Sequence, residues 1–170
     1  MHMDMPGFSS TSGGYVDVVG EKGNHQFSGR AEYFSNNQFA EMTMFPENES
    51  EMYMVTWPDV YTRDGGLSIN DKWNISSSMM VNISTRYDYI SKLATDEIGI
   101  AQFDIFGYDI SDPKSFHIMN HSLEFTHFKD QWQWGMEMSY AEREPTTSEL
   151  YGYYLFNSQD GFDYMGNPEL

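Results

Sequence analysis

The sequence predicts an all-β chain, a segment of an antiparallel, up-and-down transmembrane β-barrel with long outside loops. Three observations carry that expectation. Side chains alternate between apolar and polar, connections alternate between short and long, and aromatic residues gather at both ends of the paired strands. The rival reading of the same alternation is a soluble β-sandwich whose apolar face packs on a second sheet.

The elements follow in chain order. Around "QFSGRAEYF", Phe27, Ala31 and Tyr33 share one side, and in "GLSINDKW" Leu67, Ile69 and Trp73 do so. From Met79 to Tyr89 the odd positions read Met79, Val81, Ile83, Thr85, Tyr87 and Tyr89, against Met80, Asn82, Ser84, Arg86 and Asp88. Met119, Leu123 and Phe125 face away from Asn120, Ser122, Glu124 and Thr126. The clearest run is Trp132, Trp134, Met136, Met138 and Tyr140 against Gln131, Gln133, Gly135, Glu137 and Ser139. A period of two puts alternate side chains on opposite faces of a strand. No segment carries a helical stripe.

Short connections are expected at "WNISS" (Trp73 to Ser77) and "FKDQ" (Phe128 to Gln131). Long polar ones are expected over Ser91 to Ser115 and Glu144 to Leu170, with an acidic turn at Phe45 to Glu51. Trp73, Trp132 and Trp134 sit beside the short turns, whereas Tyr87, Tyr89 and Tyr140 lie toward the long loops, as two interfacial belts would.

Composition narrows the function classes. The 170 residues are 16% aromatic and carry a formal net charge of −17, with 26 acidic side chains against 9 basic ones. Phosphate backbones would repel such a chain, so nucleic acid is not an expected partner. With no cysteine, a disulfide framework, a thiol nucleophile and a cysteine zinc site are excluded. The N-terminal "MHMDMPGFSSTSGG" lacks the basic start and apolar stretch of a signal peptide, so an export signal is expected upstream of it.

Candidate chemistry is sparse. His117 and His121 would chelate together on a helix, but on a strand four residues span about 13 Å, too far to share a metal ion. Glu142 and Glu144 share a strand face about 7 Å apart, with nothing else to support catalysis. No nucleophile elbow or phosphate loop is present. Neither an enzyme nor a bound cofactor is expected.

Methionine is the remaining signal, at 13 residues. "MHMDM" sets Met1, His2, Met3 and Met5 in alternation, and Met42, Met44, Met52 and Met54 flank the acidic turn, where hairpin pairing would make them neighbours. Thioethers are soft ligands that select Cu(I) over hard cations. The plainer reading is that methionine is a flexible apolar filler.

The tail reads "AEREPTTSELYG", then "LFNSQDGFDYMGNPEL". With Arg143, Pro145, Thr146, Glu149, Leu150, Tyr151, Gly166, Asn167, Pro168 and Leu170, it resembles the penultimate barrel region of TonB-dependent outer-membrane receptors. "GLSINDKWNISSSMMVNISTRYDY" looks like the strand–turn–strand unit of the same family, so the resemblance covers roughly Tyr61 to Leu170. It implies that residues 1–170 form an internal part of a receptor barrel, without the plug domain or the aromatic-ended closing strand. It implies a Gram-negative outer membrane, lipid and lipopolysaccharide around the strands, and TonB as a partner through the missing plug. The implied function is uptake of a scarce nutrient, a metal or metal chelate, with copper favoured by the methionines and siderophore iron next. Tyr151, Tyr153, Tyr154 and Phe156 would then lie on an extracellular loop, where they either pack the loops together or touch ligand. The alternative function is a soluble, acidic β-sandwich module that binds carbohydrate.

Overall fold

The computed structural model describes every residue except Met1, Asn48, Glu49 and Ser158; for His2, Phe156 and Asn157 it describes the backbone alone. Strands β1 (His2–Asp4), β2 (Gly7–Lys22), β3 (His25–Phe45), β4 (Met52–Ser76) and β5 (Met79–Ala94) come first. Helix α1 (Glu97–Asp104), β6 (Lys114–Lys129) and β7 (Trp132–Tyr140) follow, then α2 (Thr147–Tyr151), β8 (Leu155–Asn157) and β9 (Phe162–Tyr164). Strands β1 to β7 form one antiparallel sheet in which β3, β4, β5, β6 and β7 are neighbours in chain order. Both β1 and β2 pair with β3, in one continuous register broken at Met5–Pro6. Proline has no N–H to give a ladder. β8 and β9 form a separate hairpin, and the large sheet does not close on itself.

Two of the three short turns come where expected, that between β2 and β3 is additional, and all have local causes. Gly23, at φ +61°, opens the two-residue turn between β2 and β3, and Asp130, at φ +53°, opens that between β6 and β7. A positive φ at the first turn residue is what a tight hairpin between right-twisted strands needs. Ser77 and Ser78 close the third turn. At the opposite end lie the acidic turn between β3 and β4, the α1 connection, and the chain after β7. The strands are longer than the sequence pattern implied: β4 has 25 residues, about 80 Å at roughly 3.3 Å each.

Register sorts the side chains into two faces. One carries Leu67, Ile69, Tyr87, Ile83, Met119, Leu123, Met136 and Met138, with Trp73, Trp132 and Trp134 near the short turns, and is interrupted by Asp71, which bonds His25 at 2.9 Å. Among the described residues no second layer covers it: Trp134, Met136 and Met138 are 57%, 64% and 67% exposed. The other face is polar through most of its length, with Ser28, Arg30, Glu32, Asn70, Ser68, Ser84, Arg86, Asp88, Ser122 and Glu124. Toward the long connections this second face turns apolar. Val60, Ala94, Phe103, Ile110, Leu150 and Tyr151 form the main core there, beneath α1 and α2.

The two helices correct the expectation of an all-strand chain with irregular links. Helix α1 is short and seated by contacts distant in sequence. Around Pro58 and Asp59, β4 carries extra residues relative to β3, and Asp59 takes φ +51°. That bulge turns the Pro58 carbonyl to accept the Thr95 and Asp96 N–H groups, both at 3.1 Å. Asp96 caps the helix by accepting from the Gly99 N–H at 2.7 Å. A Cβ on Gly99 would stand 2.3 Å from Pro58 Cβ, so only glycine lets the helix sit this close. Beyond the end of β5, Val55 has no strand partner on that side. The Gln102 amide takes the place of one, accepting from Val55 N–H at 2.8 Å and donating to Val55 C=O at 3.1 Å.

Gln102→Leu keeps the bulk and removes both bonds. The expected cost is about 1–3 kcal/mol for two stranded backbone groups, with faster amide exchange at Val55. An unchanged Val55 exchange rate would show that Gln102 does not serve as the strand partner.

Candidate functional site

The polar face holds a ladder of charges built by cross-strand pairing. Glu32, Gly66 and Asp88 lie side by side on β3, β4 and β5. The Arg86 guanidinium donates to Asp88 at 2.6 and 2.8 Å and to Glu32 across the strand between them. Gly66 makes that reach possible, since a Cβ there would stand 2.5 Å from Asp88 Oδ1 and 2.9 Å from Arg86 Nη2. Nearer the short turns Arg30 grips Asp17 through two bonds, at 2.7 and 3.0 Å, and lies 4.4 Å over the Tyr15 ring. Arg30, Asp17, Ser28, Ser68, Asn70 and Ser84 surround a shallow hollow of about 300 Å³ on this face.

The tail that resembles the receptor family folds into a lock at the other end. Arg143 forms a two-pronged ion pair with Glu149, at 2.7 and 2.8 Å. Thr146 and Glu149 complete a reciprocal capping box on α2. Buried Lys92 donates to the Pro145 carbonyl at 2.5 Å. The Gly166 N–H donates to Gly152 C=O and the Asn167 N–H to Glu149 C=O, both at 2.7 Å. A Cβ on Gly166 would come within 2.7 Å of the Leu150 backbone, so the returning chain needs glycine there. Even the terminal Leu170 is tied in, its N–H donating to Asn167 C=O at 3.3 Å.

The aromatic candidates divide accordingly. Tyr151 is 0% exposed, and burial pushes its hydroxyl up to about 12. Tyr153 is half-buried against Phe103 and Phe106. Tyr154 is half-buried at φ +56° and packs with Tyr153 against Met42, Met44 and Met54. The Phe156 side chain lies outside the described residues. Packing accounts for Tyr151, and Tyr153 and Tyr154 present only part of their rings.

The methionines are gathered closely. Register sets Met42 opposite Met54, Met44 opposite Met52, and Met3 opposite Met44 on its other side. Met42, Met44 and Met54 are 2%, 5% and 7% exposed, whereas Met3, Met5 and Met52 are exposed. Met1 and the His2 side chain lie outside the described residues.

The histidines do not converge. Tyr87 bonds His117 and Thr85 bonds His121, each at 2.7 Å, while His127 packs on Trp134. His121 thus belongs to the apolar face, with its polar edge satisfied by a neighbour. Among the described residues no group of three or more His, Cys, Asp or Glu side chains could hold a metal ion. Glu142 accepts from the Tyr140 hydroxyl and the Met119 N–H, and Glu144 lies 3.9 Å from Lys92. The Lys92, Gln102 and Glu149 contacts had one readable signal, the Thr146-x-x-Glu149 capping pattern; the others depend on distant partners.

Glu149 should make the lock pH-sensitive. The Arg143 guanidinium first, and then the Thr146 N–H, hold its carboxyl down to about 2. A lowered folded value contributes stability that is complete above the ordinary glutamate range near 4.3 and is lost as pH falls toward 2. Protection of the Asn167 amide should fade over that window, and Arg143→Leu should narrow it from the acid side. Protection that stays flat from pH 5 to 2 would contradict the assignment. No family model matches the chain, and no curated protein matches it in sequence.

Proposed function

We propose that the chain is part of the barrel wall of a TonB-dependent outer-membrane transporter that takes up a scarce nutrient, a metal or metal chelate. The observation that carries this reading is the uncovered apolar face of a sheet whose opposite face is charged. In water, a face of Trp, Met, Leu, Ile and Tyr extending over several strands is a strong liability. Hydrocarbon removes that cost, and the polar face then borders the water-filled interior.

Dimensions support the same reading. On β6, His127 pairs with Trp134 and Met119 pairs with Tyr87. These two levels are eight residues apart (127 to 119), about 26 Å along the strand and roughly 20 Å along the membrane normal at the usual barrel tilt, which fits within the roughly 25 Å apolar band of outer-membrane barrels. Strand length beyond that band carries α1, α2 and the tail lock outward from the bilayer. No helix among the described residues is long and apolar enough to cross a membrane, so crossing would fall to the strands. The edges at β2 and β7 would pair with further strands of the parent, and the plug and TonB contact would lie elsewhere in it. The alternative, a carbohydrate-binding β-sandwich, needs a second layer against the apolar face. Apart from the large sheet, the described residues form only the three-residue pairing of β8 with β9.

Adjacent residues on β6 give the test. Refolded into lipid vesicles, Leu123→Arg should cost about 2–4 kcal/mol, the penalty for a cation facing the bilayer centre. Ser122→Arg, which points to the other face, should cost far less. Urea titration would read both. Costs within about 0.5 kcal/mol of each other would overturn the membrane reading.

A further inference from the structure

We propose that Met3, Met42, Met44, Met52 and Met54 form a thioether site for a soft monovalent cation, Cu(I) or its analogue Ag(I). The inference deepens the transporter reading by naming a cargo class, and its chemistry stands whether or not that reading holds.

Three observations carry it. The first is placement: β1, β3 and β4 bring the five side chains to one patch, with Met42 opposite Met54 and Met52, Met44 and Met3 in one row. Directly opposed residues have Cβ atoms about 4.5–5.5 Å apart, and each sulfur stands one methylene beyond its Cβ, so neighbours can converge on one ion. The second is selectivity of residue type. Elsewhere the buried aliphatic positions are Val55, Val60, Ile90, Ile110, Ile118 and Leu150, with no methionine among them, whereas the patch beneath Tyr153 and Tyr154 has three buried methionines and no Leu, Ile or Val. The main core holds methionine only at its margin, as half-buried Met165. The third is access and field: Met3 and Met52 are exposed beside buried Met42, Met44 and Met54, so the site is open on one side. Acidic Glu47 and Glu51 lie in the turn between β3 and β4 beside it, on a chain of net charge −17 that favours cations, whereas Asp4 and Glu41 alternate onto the opposite face.

Softness sets the specificity. Sulfur-only coordination favours Cu(I) and Ag(I), and gives little to Fe(III), Mg(II) or Ca(II), which want oxygen. The half-buried rings of Tyr153 and Tyr154 add a π-face over the patch that attracts a cation further.

Ag(I), which needs no reductant, is the probe. The whole chain in detergent should take up one Ag(I) per chain in competition with a chromophoric chelator, with only sulfur in its first shell by X-ray absorption. Met42→Leu/Met44→Leu/Met54→Leu conserves volume and should weaken binding at least tenfold, while Met136→Leu/Met138→Leu on the apolar face should leave it unchanged. Circular dichroism checks that the triple variant folds; if it does not, Met3→Leu/Met52→Leu decides, with an expected loss of at least threefold. Equal binding by the deciding variant and the parent, or equal loss in the apolar-face control, would overturn the site. Ag(I) binding in a chain that fails to enter lipid would instead overturn the transporter reading and leave the site standing.

Discussion

The two-sidedness of the sheet, interrupted on the apolar face by the Asp71–His25 pair, governs everything else in this structure. Each strand from β3 to β7 puts alternate side chains on opposite faces, and the apolar set, from Tyr33 and Leu67 through Ile83 and Leu123 to Met138, stays in register across the sheet. A domain that folds in water normally spends its apolar surface on its own core. Here the core is small and lies on the other face, beneath α1 and α2. Most of the hydrophobic driving force in the sequence therefore has no partner within the described chain.

That arrangement explains how the polar side is organised. A bare charge on a sheet face is costly when loops or a narrow interior restrict water. Two sets of charges are matched across strands, Asp17 with Arg30 and Arg86 with Glu32 and Asp88, while the buried Asp64 Oδ1 has no hydrogen-bond partner among the described residues. Gly66 supplies the space that lets Arg86 reach over β4. Where the strands pass beyond the apolar band, the polar face becomes a floor for packing. There Lys92 holds Pro145, Thr147 donates to Gln38 at 2.5 Å, and the tail closes over the methionine patch.

The strands from β5 to β7 were legible because their side chains alternate with few exceptions, and alternation depends only on nearest neighbours. The hairpin neighbours of Met42 and Met44 were legible too, because an acidic turn at Phe45 to Glu51 fixes which residues can meet. Strand β2 was not: its "SSTSGG" run has almost no apolar side chain to show a period, and its pairing with β3 defines it. The full extent of β4 was not legible, because Pro58 and Asp59 form a bulge within it and Gly66 leaves a space for Arg86, and both depend on partners distant in sequence. Helix α1 was missed because its seat is Pro58, Val55 and the bulge, far away in sequence. Tyr151 reads on the page as one of a row of loop aromatics; only the closure of Gly166 and Asn167 against α2 makes it core.

Strand β7 offers the most direct measurement of the central claim, because it lies at an edge and every residue from Trp132 to Tyr140 is exposed. A nitroxide placed in turn at each position of the lipid-reconstituted chain would report collision with oxygen, which concentrates in hydrocarbon, and with a water-soluble nickel chelate. The account predicts a period of two, with Trp134, Met136 and Met138 open to oxygen and Gln133, Gly135 and Glu137 open to the chelate. Equal access of the chelate to both sets would show that water bathes both faces, and the membrane account would be wrong.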